Sequence, residues 1–249
     1  KFKGENIDRA RRFEEKYQVN VYDNFEEMIE DPSIRAVYLP LPPATHFIWA
    51  KKCLESGKHV LVEKPCTISL SDTNMLIELA REKKLAIHEN YMFEFHSQIN
   101  QVKEWIHSRK YGDIRIIRSS FGFPLRARND FRYNQSLGGG AILDAGGYVI
   151  KLGSLLLDNP HICTSETRFL PGFEVDMLGS ATLQDENEMI YQGAWGMANF
   201  YQCSLELWTD RYKITTNRIF TAPPNFSPLY YIESQDEINE ISLDPDDHF

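Results

Sequence analysis

Cysteine is scarce in this 249-residue chain: Cys53, Cys66, Cys163 and Cys203 stand far apart. They form neither a zinc-type pair nor a disulfide framework, so a reducing cytoplasm fits. No apolar run approaches the roughly 18 residues of a membrane span, and no signal peptide opens the chain. Positive charge is also short. With 27 Lys and Arg against 36 Asp and Glu the net charge is −9, which argues against a nucleic-acid surface and an anionic membrane as partners. Six histidines, His59, His88, His96, His107, His161 and His248, make no ligand set, so no metal site is expected. No Ser or Cys nucleophile constellation is visible. Among 14 glycines none has the G-x-G-x-x-G spacing of a dinucleotide-binding phosphate loop. Gly138–Gly140 comes nearest, but Leu143 stands where the last glycine belongs.

What is present is a globular composition, 42% hydrophobic, enough to build a core. Residues 1–92 alternate helical spacing with short apolar runs. Ile7–Tyr17, Phe25–Ile29, Thr45–Ser56 and a segment from Ser69 or Ser71 to Lys84 read as helices; Gly57 is a left-handed terminator. Ala36–Leu41, His59–Val62 and the run from Leu85 towards Met92 read as strands apolar on both faces. That alternation predicts βαβ units and a parallel sheet. Ligands of such sheets sit beyond the carboxyl ends of the strands, here Pro42–His46, Glu63–Pro65 and Glu89–Tyr91.

From about residue 113 the pattern changes. Ile114–Phe123, Val175–Leu183, Glu188–Trp195, Gln202–Thr209 and Arg211–Thr216 have strand character, with one long helix over about Gly139–Leu157. Met189, Tyr191 and Trp195 share a face, as do Leu205 and Leu207. The fold class expected is α/β: a partial Rossmann domain, residues 1–92, followed by an α+β domain with a large, mostly antiparallel sheet, residues 93–249. The chain opens at Lys1, and a βαβ unit needs roughly 30 residues. The first strand, its phosphate loop and most of the second strand are therefore expected to lie outside this sequence.

Three residues carry candidate chemistry. Lys64 ends an apolar strand beside Pro65, at the mouth of the expected crevice, or is a surface lysine paired with Glu63. Asp144 and Tyr148, at i and i+4, share a helix face, with Lys151 behind them. Gly146, Gly147 and Gly153 weaken that helix by about 1 kcal/mol each against alanine, so close approach of a ligand or backbone, or tight packing around a core Tyr148, must explain them. A tyrosine of pKa about 10 is a poor base at neutral pH; an ammonium beside it favours the phenolate. Lys64 near Tyr148 would make each more useful. His46 faces a cofactor or caps the next helix. Arg126, Arg128 and Arg132, in the loop Pro124–Leu137, form a solvated charge run or hold a substrate phosphate.

The stretches Tyr38–His46, Ser56–Pro65, Glu89–His96 and Leu137–Tyr148, with their paired E-K-P and G-G-G-x-x-x-D-x-G-x-Y motifs, resemble the Gfo/Idh/MocA oxidoreductases. The likeness runs from about Asp8 to the end. It implies an NAD(P)-dependent enzyme acting on a sugar or sugar nucleotide, cytoplasmic, and a homodimer or homotetramer through its open sheet. Lys64 would be the family's catalytic lysine and Asp144 its substrate-facing acid. Tyr148 would be the proton donor or acceptor, as in the glucose–fructose oxidoreductase and sugar 3-ketoreductase branch. Leu41, Pro42, Pro43 and His46 would line the path from adenosine diphosphate to nicotinamide, and Glu63 would contact the nicotinamide ribose. Pro43 replaces a usual asparagine, and the resemblance implies a closing helix after Asp247–His248 that is expected to lie outside this sequence. Glu5 stands where an arginine often meets the 2′-phosphate of NADP, which leaves NAD or NADP open.

Two other readings remain: a non-catalytic, cofactor-sensing relative, and a fragment unable to bind dinucleotide. Without the phosphate loop this stretch of chain is expected to bind NADH and NADPH weakly or not at all. Calorimetry checks this, and micromolar binding of either would contradict it.

Overall fold

The structure is a computed structural model that describes residues 5–248, with side chains from residue 10. The chain divides into two compact units, Lys1–Leu41 with Thr45–Asn90 and Pro42–Ala44 with Tyr91–Phe249.

In the first unit helices α1 (Glu5–Tyr17) and α2 (Phe25–Glu30) precede a sheet of β1 (Ala36–Leu39), β2 (His59–Glu63) and β3 (Ile87–Asn90). The strands lie in the order β1-β2-β3 and both pairings are parallel. Helix α3 (Pro43–Glu55) links β1 to β2, and α4 (Leu70–Lys83) links β2 to β3. Proline opens α3, where its missing N–H costs nothing. Gly57, at φ +77°, ends its terminal turn. Ser69 caps α4 by accepting from the Asp72 backbone N–H at 3.1 Å.

Val37, Leu39, Val60 and Val62 pack with Cys53 and Leu54 of α3 and Leu76 and Ala80 of α4. The opposite face, with Tyr38 and Leu61, is exposed. The apolar runs predict strands covered on both faces; here one face is covered. Two crossovers that step the same way along a sheet, each with the usual right hand, put both helices on one side.

In the second unit α5 (Ser97–Ser108) precedes an eight-stranded sheet in the order β11-β10-β9-β8-β4-β7-β6-β5. Its strands are β4 (Ile114–Phe123), β5 (His161–Phe169), β6 (Asp176–Gln184), β7 (Ile190–Met197), β8 (Gln202–Thr209), β9 (Lys213–Asn217), β10 (Leu229–Glu233) and β11 (Ile238–Ser242). Only β4 and β7 pair parallel. A π-helical turn, Ile142–Gly146, runs into α6 (Gly147–Leu156).

Ile117 and Phe121, Tyr191 and Trp195, and Leu205 and Leu207 form the covered face, packed with Ile99, Val102 and Trp105 of α5 and Val149 and Leu152 of α6. Tyr191 is fully buried. Its hydroxyl donates to the Val149 carbonyl at 2.5 Å and meets Ser119 Oγ at 2.5 Å, which satisfies it; burial pushes its pKa up. The expected β4 and β8 match residue for residue, and β6, β7 and β9 to within two residues at each end. Sequence periodicity misses α5, β5, β10 and β11. Every residue of β5 is exposed, so it has no alternation to read.

The expected helix over Gly139–Leu157 begins later. Gly140 has φ +127° and its Cβ position would lie 2.5 Å from Asp176 Oδ1; the helical turns start beyond it. Asp176 of β6 then accepts from the Ile142 backbone N–H at 2.8 Å, and burial raises its carboxyl above the usual range. The helical glycines are explained by packing. A Cβ on Gly146 would meet the Trp195 ring at 2.9 Å, and one on Gly147 would fall 1.9 Å from the Tyr91 hydroxyl. Gly147→Ala is expected to lower stability by about 1–2 kcal/mol, because overpacking outweighs the roughly 1 kcal/mol gain in helix propensity. A urea midpoint equal to or above the parent's would contradict this packing account.

Candidate functional site

The polar residues expected at the strand ends are there. Glu63 closes β2, and its Oε1 accepts from Tyr38 Oη of β1 at 2.5 Å and from Asn90 Nδ2 of β3 at 2.8 Å. One carboxylate thus joins all three strands at their carboxyl edge. Partial desolvation, then the bond to Glu63, push the Tyr38 phenol up to about 12, so it stays a donor. Glu63 is thus engaged across all three strands.

Lys64 follows at once, half-buried, with a cis peptide bond to Pro65. The loop it opens is pinned twice. The Cys66 N–H donates to Glu89 Oε1 at 2.6 Å. His46, fully buried on α3, places Nδ1 2.8 Å from the Pro65 carbonyl oxygen and Nε2 2.7 Å from that of Leu41. The ring therefore lies between the loop after β1 and the loop after β2, with its N–H donating to one of these carbonyls. It neither caps α3 nor directs a ring nitrogen away from the backbone, and its effect on a ligand runs through Leu41 and Pro65. The Cys66 thiol is pushed up to about 11 by burial and by Glu89, so it is no nucleophile. Pro43 opens α3, directly after Pro42.

This edge fits the nicotinamide-ribose half of a dinucleotide. It is the carboxyl edge of a parallel sheet and it carries a positioned carboxylate. Both bonds to Glu63 fall on Oε1; a carboxylate has about four acceptor sites, which leaves capacity for a ribose hydroxyl. The Glu5 side chain lies outside the described residues.

In the second unit Asp144 lies in the π turn and Tyr148 in α6. Asp144 Oδ2 accepts from Arg132 Nε at 2.7 Å, and Arg132 Nη1 reaches Asp130 Oδ1 at 3.1 Å. The side chains of Arg132 and Asp144 are 21% and 11% exposed. Burial pulls the guanidinium pKa down, but Asp144 and Asp130 outweigh it and hold it above its usual value. The Gly140 N–H also donates to the Arg132 carbonyl at 2.9 Å. Arg132 is thus bound at both ends, which corrects the reading of it as a solvated or phosphate-holding charge. Twelve residues separate it from Asp144, and no periodicity marks such a pair.

Tyr148 is 7% exposed. Its ring packs on Tyr91, Phe93, Phe121 and Phe220 with centroids 5.1–5.9 Å away. These contacts fix the phenol's direction. Lys151, a turn further on, pairs with Glu94 at 3.0 Å. Among the described residues no cluster of His, Cys, Asp and Glu could hold a metal, and no helix is long and apolar enough to cross a membrane.

Two family profiles match: "Oxidoreductase family, NAD-binding Rossmann fold" over residues 2–91 and "GFO/IDH/MocA C-terminal domain" over residues 99–215. A dTDP-3,4-didehydro-2,6-dideoxy-alpha-D-glucose 3-reductase of Saccharopolyspora spinosa is 35% identical over 240 residues, 96% of this chain and 72% of that protein. A D-xylose 1-dehydrogenase (NADP+) of Haloferax volcanii is 31% identical over 151 residues, 59% of this chain and 46% of its own length. Among solved structures, a 3-ketoreductase from Actinomadura kijaniata in complex with NADP and TDP-benzene has 33% identity and a TM-score of 0.91, covering 97% of this chain and 74% of that one. Fold and sequence together define an NAD(P)-dependent oxidoreductase. The chain belongs to the Gfo/Idh/MocA family.

Arg132→Ala removes a cation that bridges Asp144 and Asp130. Full burial would make the loss about 3–5 kcal/mol; partial exposure reduces it to about 1–3 kcal/mol. Arg132→Lys should recover only part, since one ammonium cannot reproduce the guanidinium fork. Equal urea midpoints for all three proteins would refute the bridge.

Proposed function

We propose that this protein reduces a keto group on a nucleotide-linked sugar, with Tyr148 as proton donor, Lys64 and Asp144 as its partners in the chemistry, and NADPH or NADH as reductant. At the coarser level the protein is an oxidoreductase that transfers a hydride between a nicotinamide cofactor and a sugar or sugar nucleotide. The observation that carries the finer reading is in the second unit. An arginine-held carboxylate and a phenol wedged among four aromatic rings stand on the same helical segment, in a chain 35% identical to a dTDP-sugar 3-reductase.

The bound nicotinamide supplies or accepts a hydride at its ring C4. The residues of this chain do the rest. Tyr148 gives its hydroxyl proton to the carbonyl oxygen as the carbon is reduced, and takes it back in the reverse direction. Lys64, as an ammonium, donates a hydrogen bond to the oxygen on which negative charge develops and favours the phenolate that Tyr148 becomes. Asp144, aimed by Arg132, accepts from a neighbouring sugar hydroxyl and sets which carbon reacts. Glu63 accepts from the nicotinamide ribose, Leu41, Pro42 and Pro43 line the cofactor's path, and His46 backs that wall, donating to one of two loop carbonyls.

Residues 1–92 are assigned to the dinucleotide and 93–249 to substrate and assembly. We assign the protein to the cytoplasm, supported by four cysteines that are all free thiols. It forms a homodimer or homotetramer through the eight-stranded sheet. The face opposite the helices carries Arg118 stacked 3.8 Å over Trp208, beside Gln192 and Glu206, a polar-aromatic mix typical of protein interfaces.

Tyr148→Phe is expected to cut kcat about 10²–10⁴-fold while the cofactor Kd changes less than about 2-fold, read by stopped-flow turnover and fluorescence titration. Unchanged turnover would remove Tyr148 from the chemistry; tight cofactor binding with no reduction across a panel of ketosugars would favour the cofactor-sensing alternative. Sedimentation should show a dimer or tetramer, and a strict monomer would contradict the sheet-face assignment.

A further inference from the structure

The Tyr148 ring is caged by groups from several elements. Helix α6 carries it, and Phe121 of β4 and Phe220, after β9, press on it with centroids 5.1 and 5.9 Å away. The other two rings come from one short stretch. Tyr91, 5.2 Å away, directly precedes the 3₁₀ turn Met92–Phe95, and Phe93, 5.7 Å away, lies within it. β4 is locked in the sheet between β7 and β8. The turn belongs to no sheet, and its hydrogen-bond geometry is intrinsically poor. Half of the cage therefore depends on what ties that turn to α6.

An ion pair spans the two. Lys151 Nζ lies 3.0 Å from Glu94 Oε2, with the side chains 32% and 13% exposed. Glu94 follows Phe93 in the turn, and Lys151 stands one helical turn beyond Tyr148 on the same side of α6. The pair therefore runs beside the Phe93–Tyr148 ring contact and joins the same two elements. The Tyr91 hydroxyl comes so close to α6 that a Cβ on Gly147 would collide with it. The glycine lets the turn close on the helix, and the ion pair keeps it closed.

Burial decides what such a pair can do. Between fully exposed groups it contributes little, because water screens the charges and the long side chains lose freedom. Here both groups are mostly withdrawn from water, and a charge in that setting is costly without its partner. Each side chain therefore holds the other in one place. Ring contacts alone have no such direction: aromatic faces slide past one another at small cost, whereas a charge-assisted bond fixes a distance.

We propose that Lys151 and Glu94 are positioning residues for the reaction: their ion pair holds the 3₁₀ turn and its two rings against α6, and so sets the direction of the Tyr148 phenol. The assignment rests on the reading of Tyr148 as proton donor and adds what keeps that donor on line. Lys151 acts through the geometry of the cage, in contrast to the charge effect assigned to Lys64.

The test uses the purified protein with reduced nicotinamide cofactor and a ketosugar nucleotide. Lys151→Met keeps most of the stem and removes the ammonium. It should lower kcat about 10–100-fold, the cost of a small misplacement, with KM and the cofactor Kd within about twofold of the parent. The pH–rate profile should keep its shape, and Lys151→Arg, which still reaches the carboxylate, should recover most of the rate. In a Tyr148→Phe background Lys151→Met should add no further loss, because it acts through the phenol. A readout without turnover is the near-ultraviolet circular dichroism that Tyr148 contributes, taken as parent minus Tyr148→Phe. Lys151→Met should remove most of it at unchanged far-ultraviolet signal. Glu94→Gln should give the same pattern, so the test stands if either variant fails to fold. Arg168→Gln, on exposed β5, should change nothing. Parent kcat and an intact Tyr148 band in Lys151→Met, or the same fold-loss in the Tyr148→Phe background as in the parent, would overturn the positioning role while the redox reading stands. A displaced pH–rate profile would overturn it in favour of a direct charge effect on the phenol. A protein that reduces no ketosugar, yet loses the Tyr148 band in Lys151→Met, would sink the redox reading and uphold the pair as what aims Tyr148.

Discussion

The guanidinium of Arg132 organises the second unit's proposed site. It reaches two carboxylates that would otherwise repel each other, one in its own loop and one in the π turn. Its carbonyl accepts from the glycine turn that starts the helix. A carboxylate without a partner at 11% exposure would carry a desolvation penalty. Held by arginine, Asp144 has a set direction. The same bond ties a loop with two further arginines to the helix that carries Tyr148.

The first unit applies the same rule with different groups. Polar side chains at the carboxyl ends of parallel strands have lost the strand ladder and need partners. Glu63 finds two, in β1 and β3, and so locks the ends of three strands in register. His46 sits between two loop carbonyls, close to both, in a buried position. Lys64 lies between these contacts, on a loop whose backbone is fixed on both sides. Precision of this kind is what the role proposed for Lys64 requires.

The glycine-rich helix illustrates how a sequence signal is right in kind and open in cause. Three glycines in a helix announce that something comes close. The sequence leaves a ligand and a packing partner as alternatives, because a missing Cβ looks the same in either case. The neighbours are Trp195, the Tyr91 hydroxyl and Tyr191, drawn from positions 38–56 residues away, and they use the vacated space to reach the core. The helix's own start is likewise decided from outside, by Asp176 of β6. The π turn follows no local propensity visible in Ile142–Gly146.

Period-two and helical spacing were sufficient to read the parallel sheet, its three strand ends and most of the antiparallel sheet, because burial on one face imprints alternation on the residues that form it. The motifs around Lys64 and Tyr148 likewise identified the family and its redox class. Where burial is absent, as along β5, nothing was imprinted and the strand went unread. The pairings that aim the site, Arg132 to Asp144, Tyr38 and Asn90 to Glu63, His46 to Leu41 and Pro65, lie 5 to 27 residues apart and involve side-chain tips or backbone carbonyls. Hydrogen bonds and ion pairs depend on angles and separations of a few ångströms, which only the folded chain defines. Residue types and periodicity therefore determined the fold class and the kind of chemistry; tertiary structure alone decided which acid is held, and by which base.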